Sequence, residues 1–211
     1  MEYIAPISSA VMALIWVIYL QLLFVQYRRS NRPYLIFHHA QNENPDALCL
    51  LVNMGERAIH IQCVQAVVTM QSGEIYELGV TQYKRVNVME QNVQQTLRQG
   101  PLLNGGYLVL GTFRDIIENA EGETIVLEQV ETLGLRAAAI HAPSKHPVGA
   151  RRGFKLKHDG GSCIFPKQIS TEQMVNRKQQ KQVINWIETE LNPVDYRKDT
   201  VDQQKRKEPN Q

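Results

Sequence analysis

The chain has 211 residues, 43% of them hydrophobic and 21% charged, which is enough for one folded domain with appendages and too apolar for general disorder. Its 23 Lys and Arg residues nearly balance 21 Asp and Glu, excluding a dedicated nucleic-acid binder with a strongly basic face. The three cysteines, Cys49, Cys63 and Cys163, are too few for a disulfide-built scaffold.

The first element is the run IAPISSAVMALIWVIYLQLLFV at positions 4–25, which carries no charged side chain. At about 1.5 Å rise per residue it makes a helix of roughly 33 Å, matching a hydrocarbon core of about 30 Å. Pro6 falls in the first turns, where a missing N–H is tolerated. A soluble core helix of this length would show a polar stripe, and a cleaved signal peptide would show a basic start and a small-residue cleavage pattern. The chain instead begins Met1-Glu2-Tyr3 and leaves the run through Gln26-Tyr27-Arg28-Arg29. The reading is a permanent transmembrane signal-anchor over residues 1–26, followed by a basic juxtamembrane linker over 27–33. Arg28, Arg29 and Arg32 after the helix, against only Glu2 and the terminal amine before it, predict the N-terminus outside and the remainder in the cytoplasm. In a bacterium this is the inner or plasma membrane. The same arginines are expected to contact anionic headgroups of the bilayer.

From residue 34 the pattern changes to short runs suited to strands, at 34–39 and 47–52. Asn53-Met54-Gly55 between the second and third runs predicts a hairpin turn with Gly55 at positive φ. In the run 57–70 the apolar parity passes from Ile59, Ile61 and Cys63 to Val64, Ala66, Val68 and Met70. Such a switch predicts a bulge near Cys63 or Val64. Gln71-Ser72-Gly73 marks a turn, and residues 74–89, with Tyr83, Arg85, Val86 and Val88, offer one or two strands before the polar stretch 91–99. Asn104-Gly105-Gly106 precedes a strand at 107–111. Thr112 and Asp115 then resemble a capping box for a short helix through Phe113, Ile116, Ile117 and Ala120, stopped at Gly122. Strand character resumes over 124–130 and 134–141, and Asp159-Gly160-Gly161 between 154–158 and 162–165 predicts a second hairpin. About eight apolar runs without strand–helix alternation predict a mainly β domain, an antiparallel β-sandwich (Ig-like or a related barrel) over 34–169. Ser170 and Thr171 are read as the cap of a C-terminal α-helix over 170–192, and residues 193–211 as a disordered charged tail.

The chemistry is sparse. His38, His39, Cys49, His60 and Cys63 lack paired metal-ligand spacing, and on a regular strand His60 and Cys63 face opposite ways. His158, Asp159, Ser162 and Cys163 resemble a base, an acid and two nucleophiles, but the hairpin explains the same letters, with Cys163 pointing into the core. No phosphate-binding loop occurs, and neither a metal nor a cofactor is expected. The acid-free stretch Lys145, His146, Arg151, Arg152, Lys155, Lys157 and His158 is read as a basic loop, with Arg151, Arg152 and Lys155 as candidates for contact with the membrane surface or another anion. The helical stripe Val183, Ile184, Ile187 and Leu191 is expected to pack on the sandwich, the alternatives being a partner-binding helix through Ile184, Ile187 and Leu191 or an interfacial membrane helix. The sequence therefore points to a single-pass membrane protein whose sandwich serves as an interaction or scaffold module for a protein partner. The alternatives are a membrane-tethered enzyme acting on a lipid or other anionic substrate, using Cys163 or His158, and a ligand-binding domain outside the cytoplasm.

Overall fold

The computed structural model describes residues 4–39, 43–80, 99–118, 125–142, 144 and 146–191. The apolar run forms one continuous helix, α1 (Ile4–Ser30), and side chains 7–29 are exposed all round it. After a short linker come β1 (Leu35–His39), β2 (Leu48–Asn53), β3 (Ile59–Met70), β4 (Ile75–Gly79), β5 (Gly100–Leu102) and β6 (Tyr107–Thr112). A short helix α2 (Phe113–Glu118) and a 3-10 turn at Leu127–Gln129 lead to β7 (Val130–His141), β8 (Val148–Lys157), β9 (Cys163–Pro166), β10 (Glu172–Met174) and helix α3 (Arg177–Leu191). Of the one or two strands expected over 74–89, β4 is the first; residues 81–89, the polar stretch up to residue 98, the helix stop at Gly122 and the tail after residue 191 lie outside the described residues.

The strands make two antiparallel sheets. The smaller has the order β1-β2-β6. The larger is built on three long strands, β8-β7-β3, whose outer edges are each shared by two short strands lying end to end. On β3 these are β4 beside Gln65–Thr69 and β5 beside Ile59–Ile61; on β8 they are β10 beside Gly149–Arg151 and β9 beside Phe154–Lys157. The two sheets bury between them Phe37, Leu51, Ile61, Leu110, Leu133, Leu135, Phe154 and their neighbours. On the opposite face of the larger sheet, α3 closes a second cluster of Cys63, Ala138, Met174, Val183 and Trp186. The sandwich reading holds, with a helix layered on its back.

β3 can serve both cores because of its bulge. Its pairing with β7 slips between Ile61 and Cys63, one residue ahead of the expected site. The inserted residue is Gln62, whose carbonyl accepts a bond from Gln99 Nε2 at 2.7 Å. Ile59 and Ile61 enter the main core before the bulge, Val64, Ala66 and Val68 after it, and Cys63 turns to α3. His60 and Cys63 consequently share a face, against the expectation for a regular strand.

Several local expectations hold. Asp115 N–H donates to Thr112 Oγ1 at 3.0 Å and Thr112 N–H to Asp115 Oδ2 at 3.2 Å, a reciprocal cap that turns Phe113, Ile116 and Ile117 into the core. Gly160 and Gly161 take positive φ in the β8–β9 hairpin. Others are corrected. The runs expected as two strands, as far as they are described (125–130 and 134–141), are instead a 3-10 turn and one twelve-residue strand. Asn53-Met54-Gly55 is no hairpin, since β2 and β3 belong to different sheets and Gly55 is not at positive φ. The glycine is needed for close approach: a Cβ there would lie 3.1 Å from Tyr34 N and 3.3 Å from Arg32 O, where the linker from α1 crosses. Asn53, fully buried, ties the crossing together by donating to the carbonyls of Arg57, Leu102 and Leu103 and accepting from Gly55 N–H.

Candidate functional site

Three surfaces carry the residues singled out by sequence. The first surrounds the end of α1. Arg28 and Arg29 are exposed in its last turn, Arg28 stacked over Phe24, and Arg32 is exposed in the linker. The Ser30 hydroxyl donates to the Glu56 carboxylate, fastening the helix end to the loop that follows β2.

The second is the seam where β1 meets the larger sheet, and here the basic-loop reading is corrected. Arg151, Arg152 and Lys155 lie within β8, not in a loop. Alternation along this strand sends Arg152 inward between Ala150 and Phe154, leaving it 8% exposed. Its guanidinium donates to Phe37 O, Gln168 O and Ile169 O and stacks over the Phe154 ring. Arg152 is therefore an inter-sheet tie and leaves the list of surface anion contacts. Arg151 is exposed but pairs with Glu172 at 2.7 Å, and Lys155 remains exposed.

Arg152 does not close the seam alone. Thr171 Oγ1 accepts from Phe37 N–H at 3.0 Å, Gln173 Oε1 accepts from Leu35 N–H at 3.1 Å, and Gln173 Nε2 donates to Leu35 O at 2.5 Å. Three side chains thus satisfy the outward amides and carbonyls of Leu35 and Phe37. An open strand edge is blunted without a further strand. The same contacts explain why no helix starts at Ser170 and Thr171. Residues Glu172–Met174 are a strand on β8, and α3 begins only at Arg177, where Gln179 Oε1 accepts from Asn176 N–H.

The third surface is α3. Its buried side is Val183 and Trp186, with Ile187 packed against their cluster; Ile184 is half-buried and Leu191 exposed. The helix is rotated from the expected stripe because Gly149 admits it: a Cβ there would lie 2.5 Å from Val183 Cγ2 and 3.2 Å from Trp186 Cζ3. At its end Gln65 Nε2 donates to Trp186 O and to Glu190 Oε2, while Gln65 Oε1 is buried and without a partner among the described residues. Burial pushes the Glu190 carboxyl above its usual range, against the opposing bond from Gln65. Arg136 stacks over Trp186 and pairs with Glu77.

Of the titratable residues considered for chemistry, His38, His60 and Asp159 are exposed, His60 Nδ1 lying 2.9 Å from Gln62 Nε2, and the others are absorbed by the fold. His39 packs edge-on to Phe113 and Phe154, and burial, then the charge of Arg152, holds its pKa below the ordinary histidine value. Burial pushes the Cys49 thiol far up and the Cys63 thiol up to about 12, the latter helped by Glu190. Among the described residues no three His, Cys, Asp or Glu side chains group as a metal site. The His158 ring bonds the Val130 carbonyl through Nε2 at 2.8 Å and Ser162 Oγ through Nδ1 at 3.1 Å, stitching the hairpin to the start of β7. Its partners are neither a carboxylate nor Cys163. That thiol is half-buried, and Ile164 takes the core position expected for it.

One further surface escaped the sequence reading. The outer face of the smaller sheet is largely apolar in rows across the strands: Ile36, Val52 and Tyr107, then Leu50 and Val109 with the exposed His38 beside them, then Leu48 opposite Thr112. Leu48 and Tyr107 are also exposed and the others half-buried. Its signal was the second parity of the runs 47–52 and 107–111, and of 34–39 up to His38, apolar on both faces where a solvent-facing side would be polar. Compared with known proteins, the chain matches no family model, and no curated protein or solved structure is significantly similar to it.

Proposed function

We propose that this chain is a single-pass membrane protein whose sandwich works as an interaction module, held in the cytoplasm by α1 and offering the outer face of the smaller sheet to a protein partner. The observation that carries the reading is α1 itself: long enough to cross a bilayer, apolar on every side, and covered by nothing else among the described residues. Keeping each large apolar side chain from water is worth about 1.5–3 kcal/mol, so lipid around α1 is favoured over water by on the order of tens of kcal/mol. Arg28, Arg29 and Arg32 on the domain side support the cytoplasmic orientation. Ile36, Leu48, Leu50, Val52 and Val109 support a partner-binding face, since solvated sheets are ordinarily polar outside.

Alkaline extraction and topology labelling test this. The intact chain, of unprocessed mass, should stay in the membrane pellet, and Asn210→Cys should resist an impermeant thiol reagent until the cells are opened. Recovery of a shortened or soluble product refutes the anchor. Labelling of Asn210→Cys in intact cells reverses the orientation. A photo-crosslinking residue at Leu48 or Val109 should trap the same protein in native membranes, and one at Ser72 should not; equal yields at all three remove the sheet face as the docking site.

A further inference from the structure

The direction of the strands fixes which end of the sandwich meets α1. β3 and β8 start at that end and β7 finishes there, with Ile59 opposite both Leu102 and His141. The β3–β4 and β8–β9 turns lie at the far end, about 35 Å away at roughly 3.3 Å per strand residue. Linker residues Arg32 to Tyr34 run directly across Asn53 to Gly55, so little slack separates the helix from the near end.

That near end exposes four large side chains of apolar or amphipathic character. Tyr34 is 42% exposed, Met54 59%, Leu103 67% and Tyr107 62%. They belong to adjoining segments: Met54 N–H donates to Tyr34 O at 2.8 Å, Asn53 N–H to Gly106 O at 3.0 Å, and Tyr107 stands opposite Val52. Around them are the exposed Arg28, Arg29, Arg32 and Arg57, and the neighbouring carboxylate Glu56 is occupied by Ser30. Tyrosines with an apolar body and a polar tip, aliphatic side chains and arginines are the composition suited to a headgroup boundary.

We infer that the sandwich does not swing free of its anchor but rests its near end on an anionic bilayer, with Tyr34, Met54, Leu103 and Tyr107 in the interfacial layer and the arginines on the headgroups. The inference rests on α1 being embedded in lipid. Continuity with α1 selects lipid as the occupant, because the tether presents this end to the membrane at high effective concentration. Arg151 and Lys155, partway along β8 towards the far end, take no part.

The test uses the full chain in vesicles of phosphatidylcholine with phosphatidylglycerol. Cys163→Ser removes the half-buried thiol, and a fluorophore is placed singly at Leu14→Cys, Met54→Cys, Leu103→Cys or Ser72→Cys. Nitroxide-bearing lipids then report contact. Quenching and blue-shifted emission at Met54 and Leu103, with neither at Ser72, support the inference. Quenching at Leu14 while Met54 and Leu103 match Ser72 overturns it, leaves the anchor intact, and assigns the patch to a protein. No quenching at Leu14 overturns the anchor and the docking together. Quenching at Met54 and Leu103 should weaken in phosphatidylcholine alone; equal quenching there overturns the part given to the arginines.

Discussion

The closure of β1 by side chains makes a sharp prediction at Gln173. Gln173→Leu keeps the side-chain bulk but removes the acceptor for Leu35 N–H and the donor for Leu35 O. Leu35 is only 1% exposed, so neither group reaches water without the edge opening. A buried group left without its partner costs about 1–3 kcal/mol, and two together, with some relaxation of an edge strand, about 2–4 kcal/mol. For a domain of this size about 1 kcal/mol moves Tm by roughly 2–4 °C, so the expected fall is about 5–15 °C. The assay is thermal unfolding of the full chain in mild detergent, followed by near-ultraviolet circular dichroism. Gln71→Leu is the control, since Gln71 makes its bond to Glu128 O on the surface and its loss is worth less than about 0.5 kcal/mol. Gln173→Glu should be no better than Gln173→Leu, because a carboxylate would face the Leu35 carbonyl. If Gln173→Leu melts with Gln71→Leu, the side-chain seam is incidental and the reasoning fails.

Three further outcomes follow from other contacts. Gly149→Ala puts a methyl within 2.5 Å of Val183 Cγ2, so α3 must shift; we expect a loss of about 1–3 kcal/mol and red-shifted Trp186 emission, read in a Trp16→Phe background. Unchanged emission would mean that α3 is not seated on this glycine. Alkylation of the native chain at pH 8 should modify Cys163 first, with Cys49 and Cys63 reacting only on unfolding, because burial keeps both as thiols; mass spectrometry showing Cys63 modified as fast as Cys163 contradicts this. Because the folded state raises the Glu190 pKa, the stabilisation tied to its protonated form is complete below the ordinary carboxyl value and lost as pH rises through the folded value. Glu190→Gln should therefore match the parent near pH 4 and be the more stable of the two at pH 7, the new amide also offering a donor to Gln65 Oε1. A gain that does not change with pH would attribute the effect to that hydrogen bond alone.

Features whose causes lie within a few residues were legible in the sequence. The uncharged run at 4–25 gives a helix because nothing in it breaks one. Thr112 and Asp115 cap α2 across three positions, and Asp159-Gly160-Gly161 turns a hairpin because glycine accepts positive φ. The changed parity of 57–70 announced a bulge, since a strand alternates strictly unless a residue is inserted. What tertiary structure decided was how each segment is answered from afar. Arg152 looked like a loop cation because its charge is visible in the sequence, whereas the carbonyls of Phe37, Gln168 and Ile169 that allow its burial are assembled only by the fold. Thr171 and Gln173 resembled a helix start until β1 supplied bonds that a helix could not. Trp186 displaced Leu191 from the buried side of α3 because Gly149, on a different strand, leaves room for it. A backbone's local preference acts over one turn or one pleat, but the burial of a polar or bulky side chain depends on what the rest of the chain places opposite it.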